Sequence, residues 1–144
     1  MKSILLALDA ENFSEAFISF AVDTARCFNA KVWIIHVAPY PGSFLGYEDG
    51  PEYVRLSVAE ELREEHRFLQ KLADRFREEK IEAEALLIGG EIVKSVIKQA
   101  DKLKADMIMI GVNRHGFIAN ALGGNTALEV IKRSAAPVAC FPCS

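Results

Sequence analysis

Glycines and small polar residues gather in one stretch where a ligand's charged group could be held. Gly111 follows the apolar run Met107-Ile-Met-Ile110, and farther on Gly123-Gly124-Asn125-Thr126 opens a short helix that runs through Ser134. A glycine loop that feeds a helix whose first amide hydrogens are free is a standard geometry for phosphate. At the end of a buried strand, Gly111 would let the backbone turn with positive φ or come close to a ligand. Thr126-Ala-Leu-Glu129 has the spacing of a capping box, with Asn125 as a competing N-cap. The same residues also suit plain loop closure and a helix cap, which is what most glycine-rich loops before helices do. Asp9 stands directly after the apolar run Ile4 to Leu8, where an acid points into the crevice at the carboxyl edge of a parallel sheet.

Other reactive side chains read differently. Cys140-Phe-Pro-Cys143 has the spacing of a redox pair or half a zinc site, but redox pairs sit at a helix amino terminus and this one lies in the last strand. A zinc site would need two more ligands, and His36, His66 and His115 offer no matching pair. Neither a metal centre nor a catalytic residue is therefore expected. His36 closes a strand, where it either faces a ligand or sits half-buried in a hydrogen bond, the commoner arrangement. Asp9 and His115 are the candidates for a base near the glycine loops. With no Walker motif and no second acidic metal ligand, the chain is expected to hydrolyse ATP weakly at most.

The 144 residues, 51% hydrophobic and 26% charged, predict a single soluble domain spanning 1–144. A net charge of -3 argues against nucleic acid as a partner, because that footprint is basic. No apolar run approaches the roughly 18 residues of a membrane span, and no signal-peptide pattern opens the chain, so a cytoplasmic protein without membrane insertion is expected. Three cysteines do not suggest a disulfide framework.

Five strands are predicted: Ile4 to Leu8, Val32 to Val37, Ile81 to Ile88, Asp106 to Gly111 and Pro137 to Phe141. Between them lie helices over Phe13 to Phe28, Ser57 to Lys80, Glu91 to Leu103 and the short one ending at Ser134. Asn12 and Glu15 form a capping box for the first helix, with Ser14 as the alternative cap; its buried stripe is Phe13, Phe17, Phe20, Ala21, Thr24 and Phe28. The stripe of the second is Leu62, His66, Leu69, Ala73 and Phe76, and Glu60 to Glu65 form its solvated face. Ala38 to Leu56, rich in Pro, Gly and Tyr, reads as a structureless lid or interface loop. The third strand, with Glu82 and Glu84 alternating with Ile81, Ala83 and Ala85, suits a sheet edge, as does the proline-flanked fifth. Strict alternation with right-handed crossovers predicts a three-layer α/β fold around a five-stranded parallel sheet. If the first and fourth strands are neighbours, Asp9 and the Gly111 loop face each other at the switch point.

Together these pieces resemble the universal stress protein family over the whole chain. The likeness is carried by Leu8-Asp9 and Ser14, His36-Val37, Gly90, Ala105-Asp106-Met-Ile-Met-Ile-Gly111 and Ala136-Pro137-Val138. Its most specific motif in nucleotide-binding members is Gly, two residues, Gly, nine residues, Gly, then Ser or Thr. Gly111 and Gly124 match its first and last glycines, whereas Arg114 replaces the second, Asn125 the hydroxyl, and Ala127 a further hydroxyl beside Thr126. The resemblance implies a Rossmann-like fold of the adenine nucleotide alpha hydrolase type and an adenine-nucleotide ligand (ATP, ADP or AMP, with or without Mg). Asp9 and the main chain near Val37 would hold adenine and ribose, with Ala7, Leu8 and Ile110 lining the pocket. The phosphates would run along Gly111, Asn113 and Arg114 and along Gly124, Asn125, Thr126 and Ala127.

Arg114 fills space that a glycine leaves open, yet its guanidinium can pair bidentately with phosphate. Two lost hydroxyl contacts, each worth roughly 0.5 to 1.5 kcal/mol, weaken binding about tenfold or more without abolishing it. The expectation is a regulatory protein that binds AMP or ADP ahead of ATP through a degenerate phosphate loop. By the same resemblance it forms a homodimer through the C-terminal edge strand and serves an unidentified regulatory protein partner. The alternatives are a dimeric interaction scaffold of the same fold without nucleotide and, less favoured, a weak ATPase.

Overall fold

The computed structural model describes residues 1–8, 14–38, 52–112 and 126–143, with the backbone alone for 52–58. Among these the chain alternates β1 (Ser3–Leu8), α1 (Glu15–Phe28), β2 (Lys31–Ala38), α2 (Glu52–Glu78), β3 (Ala83–Gly89), α3 (Ile92–Lys102), β4 (Met107–Val112), α4 (Thr126–Arg133) and β5 (Val138–Pro142). The sheet is parallel throughout, in the order β3-β2-β1-β4-β5. β1 neighbours β4, which meets the condition set by the sequence, and, as expected, β3 and β5 are the edges.

Side chains alternate across each strand, so the apolar runs supply two cores. Ile4, Leu6 and Leu8 join Val32, Ile34 and Met109 under α1 and α2. Leu5 and Ala7 join Ile35, Val37, Ile108 and Ile110 under α3 and α4. Ile4, Leu5, Leu6, Ile34, Ile35, Ile108 and Met109 are fully buried, which makes β1 and its neighbours the middle layer.

Local chemistry sets the helix ends. Ser14, not Asn12, is the N-cap of α1: it has extended backbone (φ -143°, ψ 148°) and its Oγ accepts from the Phe17 amide at 3.1 Å. Asn12 and Phe13 lie outside the described residues. The helix closes on Asn29 in the left-handed region (φ 51°). Its inward stripe is Phe17, Ile18, Ala21 and Ala25, while the predicted core residues Phe20 and Phe28 are 45% and 49% exposed. A four-residue aromatic spacing had drawn the stripe around too wide an arc.

The second helix starts at Glu52, not Ser57, and β2 runs through Ala38, which shortens the predicted loop to residues 39–51, outside those described. Leu69, Leu72, Ala73 and Phe76 form its buried stripe. Four residues before Leu69 the same face carries Glu65, which is half-buried, whereas His66 is exposed and contacts Gln70 at 3.4 Å. Both reverse the sequence reading. The carboxylate of Glu15 takes both guanidinium nitrogens of Arg75, at 2.7 and 3.1 Å, joining α1 to α2 and holding the Glu15 carboxyl below its ordinary range.

Gly90 turns the chain into α3 with φ 140°, and its amide donates to the Ala38 carbonyl at 3.1 Å. The Asp106 carboxylate accepts from the Lys2 and Ser3 amides at 2.8 and 3.0 Å, stitching the amino end of β4 to that of β1. Those two amides hold its carboxyl below the usual range. Gly111 is not a turn: it lies within β4, paired with Phe141, and the strand continues to Val112.

Candidate functional site

In an open parallel sheet a ligand site forms where consecutive crossovers leave in opposite directions. Here that point is the β1–β4 junction: β1 leads through α1 to β2 on one side, and β4 leads through α4 to β5 on the other. Both chains leave the sheet at the same edge, β1 after Leu8 and β4 after Val112, with Ala7 opposite Ile110 across the junction.

Of the residues expected at the site, Ala7, Val37, Ile110 and Ala127 are gathered in one apolar cluster, each 6–8% exposed. The pleat explains this, since Ala7, Val37 and Ile110 all point toward the α3 and α4 layer. Alanine at 7 and 127 keeps that wall low where the centre of the layer is filled by Leu5, Ile35 and Ile108. Such a wall suits the flat, weakly polar face of a heteroaromatic ring. Leu8 points the other way, into the α1 and α2 cluster. Its carbonyl is engaged by Nδ1 of His36 at 3.0 Å, which gives His36 the half-buried, hydrogen-bonded role expected of it. Gly111 is buried inside β4, and Thr126 is the first residue of α4. Asp9, Asn113, Arg114, Gly124 and Asn125 lie outside the described residues, as does His115.

Of the helices that begin at this edge, α3 and α4 cover the face that carries this wall. The Glu91 carboxylate caps α3 by accepting from the Val93 and Lys94 amides at 3.2 and 3.1 Å. Those donors are already satisfied by an anion of the protein itself, so α3 is no phosphate cradle. The sequence argument for a phosphate thus rests on α4. At the opposite edge a groove is lined by Arg26, Asn29, Lys31, Lys80 and Glu82, among others. Its charges answer one another: Arg26 pairs with Glu79 and Lys31 with Glu82 at 3.3 Å.

Partial burial pushes the Cys140 thiol up, the reverse of what a redox cysteine needs. Among the described residues no group of three or more His, Cys, Asp or Glu could hold a metal, and no helix is long and apolar enough to cross a membrane. Sequence reasoning missed Glu65, whose Oε2 lies 3.8 Å from Nε2 of His36. The signal was present: position 65 continues the 69, 72, 73, 76 stripe back by one turn.

A profile described as the universal stress protein family matches residues 1–142. A universal stress protein of Methanocaldococcus jannaschii is 29% identical over 140 residues, covering 95% of this chain and 79% of that protein. The structure of the universal stress protein from Archaeoglobus fulgidus in complex with dAMP superposes with a TM-score of 0.62 at 22% identity, covering 97% of each chain. A universal stress protein family protein from Arabidopsis thaliana with AMP bound superposes with a TM-score of 0.69 at 11% identity, covering 100% of this chain and 93% of that one. At these identities the structural likeness is one of fold.

Proposed function

The chain belongs to the universal stress protein family, and from that premise we propose that it binds an adenine nucleotide, AMP or ADP ahead of ATP, at the carboxyl ends of β1 and β4. The observation that carries the reading is the switch point itself, walled by Ala7, Val37, Ile110 and Ala127. Relatives of the same fold whose structures hold AMP and dAMP support the choice of base. In this reading Asp9 accepts from the ribose hydroxyls, and the glycine-poor loop carrying Arg114 and Asn125 weakens the hold on a longer phosphate chain. Mg is a requirement only if ATP proves to be the ligand. Such nucleotides are cytoplasmic metabolites, which is where the protein would act.

Isothermal titration with AMP, ADP and ATP, with and without Mg, tests the proposal. Saturable heat is expected with AMP or ADP, about tenfold weaker in Asp9→Ala, since losing one charge-assisted contact costs about 1.4 kcal/mol or more. No heat with any nucleotide at millimolar concentration overturns it and leaves the dimeric scaffold. Asp9-dependent phosphate release above background would recast the protein as an ATPase.

A second reading concerns assembly. The outer edge of β5 ends the sheet, and beside it Phe141 stacks on Phe17 at 5.4 Å and lies 5.5 Å from the exposed Phe20. An open strand edge next to exposed aromatics supports a homodimer in which two β5 strands add to each other. Nucleotide occupancy would then select the regulatory protein that docks on the dimer.

A further inference from the structure

The two helix layers carry their charges differently. On α1 and α2, Arg26, Arg63, Arg67, Arg75 and Arg77 each reach a carboxylate, at 2.7 to 3.5 Å. In the α3 and α4 layer Lys94, Lys98, Lys102, Lys104 and Arg133 are exposed and meet no carboxylate at ion-pair distance among the described residues; Lys132 has Glu129 at 3.9 Å. The acids of this layer do little to offset them. Glu91 is committed to the Val93 and Lys94 amides, which leaves Asp101 as the exposed acid of α3.

Lys94, Lys98 and Lys102 follow one another at four-residue spacing, opposite the buried Val93, Val96 and Ala100, and span about 12 Å of helix. That stripe works against its own helix. Like charges four residues apart destabilise a helix, and Lys94 stands in the first turn, where the dipole opposes a cation. Folding therefore gives no reason for the stripe, whereas an anionic counterpart would. The kind of cation narrows that counterpart. Where α1 and α2 grip particular carboxylates they use arginine, whose planar fork fixes geometry; the outward side of α3 uses lysine, a hydrated point charge suited to a diffuse negative field. On α4, Leu128 and Ile131 are 44% and 47% exposed, and α3 and α4 lie side by side over one face of the sheet. Lysines and exposed aliphatics on a broad two-helix face match a layer of lipid headgroups.

We propose that the α3 and α4 face docks on an anionic lipid surface, with the lysine stripe over the headgroups and no insertion into the bilayer. The whole chain carries a net charge of -3, so it settles on such a surface in one orientation, with the α1 and α2 layer turned away. The proposal does not depend on nucleotide binding, because its effect is read on the protein alone.

Co-sedimentation with vesicles, without nucleotide, tests it. The vesicles are phosphatidylcholine, alone or with about one-third phosphatidylserine. The parent is expected to pellet with the anionic vesicles at low salt, to stay in solution with the neutral ones, and to be released as salt rises toward about 0.5 M. Combining Lys94→Gln, Lys98→Gln and Lys102→Gln should weaken binding about a hundredfold, at about fivefold for each lysine, with the fold intact by circular dichroism. Combining Lys2→Gln, Lys71→Gln and Lys80→Gln removes the same charge from exposed positions elsewhere and should bind nearly as the parent does. Equal losses in the two triple variants overturn the assignment to this face. Binding to both kinds of vesicle alike, or to neither, overturns the docking itself, and capture by polyglutamate but not by vesicles replaces the lipid with an acidic protein. Should the first triple variant misfold, Lys98→Gln by itself decides: binding about fivefold weaker supports the proposal, and unchanged binding overturns it.

Discussion

Asp106 shows what one side chain can do at the edge of a buried strand. Its carboxylate accepts two amides from the amino end of β1, and those bonds hold its carboxyl below the ordinary range. A depressed carboxyl stabilises the fold above its unfolded pKa and loses that contribution as pH falls through the folded one. Asp106→Asn is therefore expected to unfold more readily than the parent at neutral pH. The gap should begin to narrow as pH drops below roughly 4, where the unfolded chain takes up the proton, and close only below the depressed folded value, where the carboxylate is protonated in both states; denaturant midpoints from neutral pH into the acid range measure it. None of this was legible in the sequence, where Asp106 read only as the start of a strand. Ser14 was half-legible: it carries the right chemistry at the right spacing, but Asn12 offered a capping side chain two positions earlier, and only the helix phase decides between them. At the ligand site the apolar half could be read, because alternation along a strand fixes that Ala7, Val37 and Ile110 share a face. The direction of Leu8 followed from the same rule and was overlooked.

At the scale of elements, the connection from β3 to α3 has the least freedom. Gly90 holds φ 140°, and a Cβ built there would lie 3.0 Å from Oγ of Ser95. Gly90→Ala is expected to cost about 1–3 kcal/mol of stability, because that backbone region is essentially reserved for glycine. Chemical denaturation measures the loss directly, and an unchanged midpoint would mean the turn can relax. Strand and helix order was legible in full, since buried parallel strands read as unbroken apolar runs. Helix margins were not. Glu52 to Leu56 lie within α2 although the sequence reads as loop, because the preceding Pro and Gly residues mask where regular backbone begins. The aromatics of α1 misled for a different reason: Phe20 belongs to the β5 side of the molecule and not to the main core.

For the molecule as a whole, the sheet order makes β5 one outer edge and clusters aromatics beside it. If that edge is the dimer interface, Phe20→Glu should shift the protein toward monomer in sedimentation analysis while lowering the unfolding midpoint of the dissociated chain only modestly, because Phe20 is 45% exposed and gives up one ring contact, with Phe141. A parent protein that is already monomeric would remove the interface instead. The adjacency of β1 and β4, which chain order and handedness left as a condition, is the reason folding cannot finish early. Ile4 pairs with Met107 and Ala7 with Ile110, so β1 keeps one bare flank until β4 has been translated. During that interval a greasy ribbon is open to passing nascent chains. Synthesis of this protein should lean on holdase chaperones far more than its finished form would suggest.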